Sequence, residues 1–355
     1  MTENIKTAAP KILEIIQASK NILLYCHPAP DPDSVGSALA MKFALEQLGK
    51  KATVIRGDGP MPETAFSSFP GFADIVPKNF LEITASATGS ASPDGSVTSA
   101  PFDLFIVQDA GSLDRVSALG KVVIPPGMKT IVIDHHISSV VKNVGFGSEC
   151  NLIEPSYPAT ALILFDLFKM WNIRLTPDIA ANLFIGMYTD TGGFKYASVT
   201  SNVFAAAAEL TAVYPDFHKI IFSMENMRQP AELTFEGLAF LNIKTFFDGR
   251  LAMAAVSHED MAKHSISAAD TSSSLIANIV KSVVGWDIGA CLVEKTHGNV
   301  YVSFRTRDSE KYDLSLLASS LGGGGHKAAA AAVVLGTIEE VMNKVVDAAR
   351  ATVLH

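Results

Sequence analysis

Residues 21–37 read NILLYCHPAPDPDSVGS, and the fold is decided here. The first six, NILLYC, are a short apolar run that reads as a buried strand. The run ends in a loop where Pro28, Pro30 and Pro32 fix φ and bias the residue before each towards extended geometry. The next stretch, SVGSALAMKFALEQLG at 34–49, has helical spacing, with Leu39, Phe43 and Leu48 on related faces and Gly49 as the stop. KATVIR at 51–56 is a second strand, and DLFIVQ (103–108) and KTIVID (129–134) are two more. Before them, Ile12, Leu13, Ile15 and Ile16 mark one face of a short helix. After them, Thr176 and Pro177 open a helix over 177–188, and another is expected near 201–213. Strands alternating with helices predict an α/β fold with a mostly parallel sheet flanked by helices.

From about residue 243 the rhythm changes. FFDGRLAMAAVS reads as a hairpin turned at Asp248-Gly249, SLIANIVKSVVG as a helix, and IGACLVEKTHGNVYVSFRTR as a second hairpin turned at Gly298-Asn299. Residues 328–336, AAAAAVVLG, read as a buried strand or core segment. The expected organisation is a catalytic domain over 1–215, a helical connector over 216–242 broken by Pro230, and a smaller α+β domain over 243–355. A length of 355 residues suits two domains. The small, polar stretch 85–100 reads as a surface insertion, with a mobile cover over the site as the rival reading.

Composition narrows the function. Hydrophobic residues at 48% and charged ones at 18% describe a globular chain with ample core. The net charge of −8 argues against a protein that coats long DNA or RNA, so a nucleic-acid ligand should be short or gripped at its end. Cys26, Cys150 and Cys291 are far apart and odd in number, which excludes a disulfide framework and a Cys-based zinc ribbon and fits a reducing, cytoplasmic setting. The N-terminus lacks the pattern of a signal peptide, and no run of 18 apolar residues suggests a membrane span.

The titratable residues gather where strands end. His27, Asp31 and Asp33 follow the first strand, either as ligands or as ordinary turn formers. Asp109 follows DLFIVQ, either as a ligand or as the cap of a following helix. Asp134, His135 and His136 close KTIVI, and three titratable residues in a row at a strand exit favour a site. Asp190 ends a helix, where the dipole disfavours a carboxylate and something cationic should offset it. In open α/β sheets ligands bind beyond the carboxyl ends of the strands. His27, Asp31, Asp33, Asp109, His135 and Asp190 supply four carboxylates and two imidazoles without a thiolate, a donor set suited to Mn²⁺ or Mg²⁺. Two divalent ions would balance the four negative charges. Such pairs lie ~3.5–4 Å apart and act on phosphoryl oxygens. In the second domain, GGGGH at 322–326 reads either as a helix C-cap and linker or as a turn that brings backbone N–H groups close to an anion. Arg305, Arg307, Lys311 and Lys327 flank it, although residues 243–355 hold 11 Lys+Arg against 12 Asp+Glu. His218, His258, His264, His297 and His355 are scattered and read as surface or core positions.

HPAPDPDSVGS, VQDAG, VIDHHIS and YTDTGGF resemble, in order, the four motifs of the DHH phosphoesterase superfamily, and LGGGGHKAAAA resembles the signature of its DHH-associated domain. The match spans about 21–335 and is most similar to the short two-domain nanoRNase (oligoribonuclease)/pAp phosphatase group, often labelled exopolyphosphatase-related. The resemblance implies that His27 and Asp31 hold one metal, that Asp33, His135 and Asp190 hold the other, and that Asp109 bridges both. It implies two Mn²⁺ ions, with Mg²⁺ or Co²⁺ as substitutes. Asp134 would orient the imidazoles, His136 would face the substrate phosphate, and Arg305 with Gly323, Gly324, Gly325 and His326 would hold the remote phosphate and nucleoside.

The resulting expectation is a metal-dependent phosphohydrolase in which hydroxide between two metals attacks phosphorus, His136 and Asp109 being catalytic. Its expected substrates are RNAs of two to five nucleotides, pApA and also pAp. The expected partners are those short oligonucleotides or dinucleotides, with no long nucleic acid and no membrane, and a homodimer is compatible. The rivals are a cyclic di-AMP phosphodiesterase, a nucleotide-binding module without catalysis, and a pyrophosphatase.

Overall fold

A computed structural model gives the structure of the chain and describes residues 1–59, 61, 63–88, 102–136, 149–226 and 228–354. These form two units, Met1–Met227 and Arg228–His355. Of the stretch expected as an insertion, 89–100 lies outside the described residues, as does His355; residues 85–88 end a helix.

The first unit carries β1 (Asn21–Tyr25), β2 (Lys51–Ile55), β3 (Leu104–Gln108), β4 (Lys129–Asp134) and β5 (Cys150–Ile153). Their order is β2-β1-β3-β4-β5, and every pair is parallel. The helices are α1 (Glu3–Ala18), α2 (Pro32–Gln47), α3 (Glu63–Phe66), α4 (Phe80–Thr88), α5 (Thr160–Met170), α6 (Pro177–Asp190), α7 (Ser201–Val213) and α8 (Phe217–Glu225). Alternate strand residues feed two cores. Ile22, Leu24, Leu104, Ile106, Ile131, Ile133 and Leu152 pack with α1, α2, α5, α6 and α7 on one face. Leu23, Tyr25, Phe105, Val107 and Val132 meet Phe80, Val116, Val122 and Met128 on the other. Burial on both faces explains why the strands read as unbroken apolar runs.

Helix α2 starts two residues earlier than its spacing predicts. Asp31 is the N-cap, its side chain accepting from the Ser34 N–H, and Pro32 takes the first helical position, where its missing N–H costs nothing. Asp33 therefore lies in the first helical turn and not in an extended loop. The expected stop at Gly49 holds: its φ is +72°, and the Lys50 N–H closes on the Leu45 carbonyl.

The second unit holds β6 (Lys244–Phe246), β7 (Leu251–Val256), β8 (Ile288–Thr296), β9 (Asn299–Thr306), β10 (Gly324–His326) and β11 (Ala329–Leu335), in the order β10-β11-β9-β8-β7-β6. Only the β7–β8 pair is parallel, so the sheet is mixed. Helices α9 (Pro230–Leu241), α10 (His258–Lys263) and α11 (Ser273–Lys281) line one face, and α12 (Leu314–Ser320) and α13 (Ile338–Thr352) the other. Pro230 does not break a helix but begins α9. The second hairpin turns at His297-Gly298, one residue before the expected pair, because the left-handed backbone falls on Gly298 (φ +74°) and Asn299 already pairs with Thr296. GGGGH is part cap and part strand. Gly322 and Gly323 close the end of α12 through N–H bonds to Ser319 and Ala318, and 324–326 form β10. Among the described residues, no helix is long and apolar enough to cross a membrane.

Helices α2 and α6 meet through glycine. A Cβ on Gly36 would lie 2.4 Å from the Asn182 carbonyl oxygen, and that atom is backbone and cannot swing away. Alanine is the better helix former by about 1 kcal/mol, so propensity and packing oppose each other here. Packing should win. Gly36→Ala is expected to cost a net 1–2 kcal/mol or about 2–8 °C in the melting of this unit, read by circular dichroism. A variant as stable as the parent would mean that the helices do not touch here.

Candidate functional site: a carboxylate and histidine centre

The chain runs from β1 to β2 on one side and returns to β3 on the other. The connections that leave the neighbouring strands β1 and β3 thus run in opposite directions, which opens a crevice at their carboxyl ends. His27 lies just beyond β1, Asp109 just beyond β3, and Asp134, His135 and His136 at the end of the adjacent β4. The N-cap and first turn of α2 bring Asp31 and Asp33, and the last residue of α6 brings Asp190.

Asp109 is the centre of the cluster. It is 1% exposed, and its two oxygens face different imidazoles: Oδ2 is 3.5 Å from His27 Nε2 and Oδ1 is 3.5 Å from His135 Nε2. His27 Nε2 also lies 3.6 Å from Asp31 Oδ2, and His135 Nε2 lies 3.3 Å from Asp190 Oδ2. His27, Asp31 and Asp109 form one triplet of mutually close ligand atoms, and Asp33, His135 and Asp190 form another. Asp109 caps no helix. Its φ is +58°, and the short helical turn that follows, 113–115, has Ser112 as its N-cap. A non-glycine residue held there stores strain of about 1–3 kcal/mol, a cost that clusters at functional sites.

Asp33 is held by backbone that the sequence reading left out. Helix α5 has no side-chain cap of its own at Ala159. The fully buried Asp33 takes that place from another helix, Oδ2 accepting from the Thr160 N–H at 2.7 Å and Oδ1 from the Ala161 N–H at 2.9 Å. The Thr160 hydroxyl donates to Asp109 Oδ1 at 3.3 Å. Gly186 is a second omission: a Cβ there would lie 2.6 Å from Asp33 Oδ1. No side-chain pattern signals the contacts to Asp33, because they are made by backbone N–H groups at a helix start whose own N-cap, Ala159, is apolar.

His135 and His136 differ although they are adjacent. His136 Nδ1 lies 2.8 Å from Asp134 Oδ1, and Asp134 is fully buried. That bond fixes the ring orientation and leaves the rest of the imidazole, whose side chain is 32% exposed, towards the crevice. His135 is more enclosed and makes no such bond to Asp134; its Nε2 turns to Asp109 and Asp190.

Among the described residues seven buried side-chain atoms have no hydrogen-bond partner, and three of them belong to this cluster: His27 Nε2, His135 Nε2 and Asp109 Oδ2. Buried polar atoms are nearly always satisfied, and these three converge. Burial alone would lower His27, but the Asp109 and Asp31 carboxylates raise it to about 9. Burial likewise opposes Asp109 and Asp190, which raise His135 to about 11. Burial and then the Asp109 and Asp190 charges push Asp33 well above the usual carboxylate range. Burial also pushes Asp190 up, against the pull of His135. Crowded acids with strained ionisation, hard oxygen donors, two imidazoles and orphaned ligand atoms fit divalent cations. Across the other unit, Arg305 lies on β9 opposite Ala329 of β11, and His326 is exposed on β10.

Residues 21–187 match the DHH family, N-terminal domain, and residues 252–354 match the DHHA1 domain. The chain belongs to the DHH family. It is a phosphoesterase, hence a hydrolase, and phosphoesterases of this family depend on metal. The chain is 27% identical over 297 residues to the bifunctional oligoribonuclease and PAP phosphatase NrnA of Thermus thermophilus, covering 83% of this chain and 79% of that one. It is 24% identical over 309 residues to the protein of the same name from Mycoplasma genitalium, covering 86% and 87%. The crystal structure of an exopolyphosphatase-related protein from Bacteroides fragilis shares the fold, with a TM-score of 0.81 at 23% identity over 98% of this chain and 96% of that one.

The raised imidazoles make the metal-free DHH centre a proton store. Their ion pairs add stability that is complete below about pH 6.5 and is lost as pH rises through about 9 for His27 and about 11 for His135. A cation at either Nε2 displaces its proton. Adding Mn²⁺ to metal-free protein at pH 7 should release on the order of one proton per imidazole, and affinity should tighten from pH 7 to pH 9. Calorimetry in two buffers of different ionisation heat measures this. Identical heats in both would remove the imidazoles from the ligand set.

Proposed function

We propose that this protein is a Mn²⁺-dependent phosphodiesterase that degrades RNAs of two to five nucleotides and linear pApA to mononucleotides, and that it also removes a phosphate from pAp. The observation that carries this reading is Asp109, one oxygen towards each of two ligand triplets. The names of the two relatives, oligoribonuclease and PAP phosphatase, support the substrate class. The acidic net charge of −8 supports short substrates, since long polymers gain affinity from many cationic contacts.

His27 and Asp31 would hold one ion, Asp33, His135 and Asp190 the other, and Asp109 would serve both. When bound, such ions neutralise phosphoryl oxygens and lower the pKa of water from 15.7 towards ~7. The protein's own groups do the rest. The N-terminus of α5 keeps Asp33 immobile through two backbone N–H bonds. Asp134 accepts from His136 Nδ1, so that in the imidazolium form the other ring nitrogen donates to a phosphoryl oxygen and stabilises charge as the ester bond breaks. Arg305, Gly323, Gly324, Gly325 and His326 serve the part of the substrate that does not react. Two of these glycines also have packing reasons: a Cβ on Gly323 would lie 2.1 Å from the Ala331 carbonyl oxygen, and one on Gly325 would lie 2.5 Å from the Ala330 Cα. The three buried free thiols suit a cytoplasmic enzyme.

The histidine pair tests the assignment, with a panel of pAp, pApA, cyclic di-AMP, RNAs of 2 to 24 nucleotides and pyrophosphate. The parent should prefer the short linear substrates in the presence of Mn²⁺. His136→Ala should keep its metal and lose about 10²–10³-fold in kcat, whereas His135→Ala should lose metal as well as turnover. Metal analysis giving the reverse pattern would exchange the two roles. A parent that acts only on pyrophosphate or only on cyclic di-AMP would overturn the substrate reading.

A further inference from the structure

In the second unit, α11 covers β7, β8 and part of β9 but leaves Tyr301 of β9 and Val333 of β11 partly exposed. Arg305, Ser303 and Tyr301 alternate along β9, and their partners on β11 are Ala329, Ala331 and Val333. The open strip changes character along its length. Near Arg305 it is small, with Ser303, Ala329 and Ala331; further on it turns apolar, with Tyr301 41% and Val333 51% exposed. Its wall is the Gly322-Gly323 turn and the start of α11, where Ser273 hydroxyl-bonds Ser303 at 2.8 Å. Together they form a groove of about 300 Å³.

Cations flank this groove without being part of its lining: Lys295 beside Tyr301, and Arg305 two residues beyond Ser303 on β9. Lys295 Nζ sits 5.0 Å from the centre of the Tyr301 ring. At the other end Lys281 is lowered by burial and by the charge of Arg305, so two cations share that end. An apolar floor with an aromatic ring, between positive charges, is matched by a single-stranded oligonucleotide, whose bases stack on aromatic rings while phosphates pair with Lys and Arg. A purely apolar partner would leave the charges unanswered.

We propose that Tyr301 and Val333 form a nucleobase platform that engages the second or later nucleotides of the substrate. The proposal rests on the oligonucleotide reading above and adds to it what sets preferred length. Tyr301 is four residues along the strand from Arg305, ~13 Å away at the rise of a β-strand. A nucleotide held at Arg305 leaves the ring to the nucleotide that follows it, and a ligand with one nucleoside, such as pAp, has no second base to place there. Gains from the platform appear only as the chain lengthens.

The test compares kcat/KM for a tetranucleotide with that for pAp, in Mn²⁺, for the parent, Tyr301→Ala and Tyr301→Phe. Base stacking on one ring predicts that Tyr301→Ala lowers the tetranucleotide-to-pAp ratio about five- to a hundredfold. Tyr301→Phe, which keeps the ring, should restore most of it. Binding of a fluorescent, phosphorothioate-blocked tetranucleotide without metal should weaken in parallel, which reads the platform separately from the chemistry. A ratio that stays within twofold overturns the proposal, as does an equal loss on both substrates or a shift in sedimentation showing that this face joins two copies. If the parent hydrolyses no RNA but binds the blocked tetranucleotide through Tyr301, the platform stands and the nuclease reading falls. A parent that neither binds nor cleaves any oligonucleotide sinks both.

Discussion

The reversal of strand order between β1 and β3 is the constraint on which the first unit depends. Because the chain leaves β1 in one direction and comes back on its other side, the loops after these neighbouring strands separate instead of covering each other. His27 and Asp109 are placed side by side by register alone, and β4 adds its Asp-His-His run one strand away. The starts of α2 and α5 and the end of α6 then meet in the same crevice. Their close approach needs Gly36 and Gly186, where a single extra carbon would meet backbone or the Asp33 carboxylate.

The accumulation of acids is what the packing has to support. Four carboxylates in a largely buried crevice repel one another, and burial alone would neutralise them. The fold answers each differently. Asp33 caps a helix that has no cap of its own, Asp109 takes an imidazole on each side, Asp190 faces His135, and Asp31 caps α2 from the rim. Even so, three polar atoms of the cluster have no hydrogen-bond partner among the described residues, which fits a cation.

Much of this was legible because strand ends and titratable residues coincide. His27, Asp109 and the 134–136 run each follow a readable apolar strand, and the family motifs lie on the same segments. What escaped the reading has a physical reason in each case. TALILFDLFKM at 160–170 is apolar on nearly all sides because it is buried all round, so it has no periodicity to read. CNLI is too short to stand out as β5. The start of α2 was hidden by its prolines, which suit a loop as well as a first helical turn. Thr160 and Ala161 act through backbone N–H groups, which no side-chain pattern announces. The cap alternative for Asp109 fell only when its backbone angle was seen. The parallel β7–β8 pair was invisible because two hairpins bracket it.

The left-handed backbone at Asp109 carries a consequence for the chain's freedom to drift. Aspartate, asparagine and glycine are the residues that tolerate this conformation with least penalty. Of the three, only aspartate offers a charged oxygen to each imidazole. A mutant library at this codon is therefore sieved twice, once by the backbone and once by charge, and the two sieves share a single survivor. Glutamate, the usual stand-in for an acid, passes the second and is penalised by the first. The position is closed to gradual exploration, and change around it has to arrive through its neighbours.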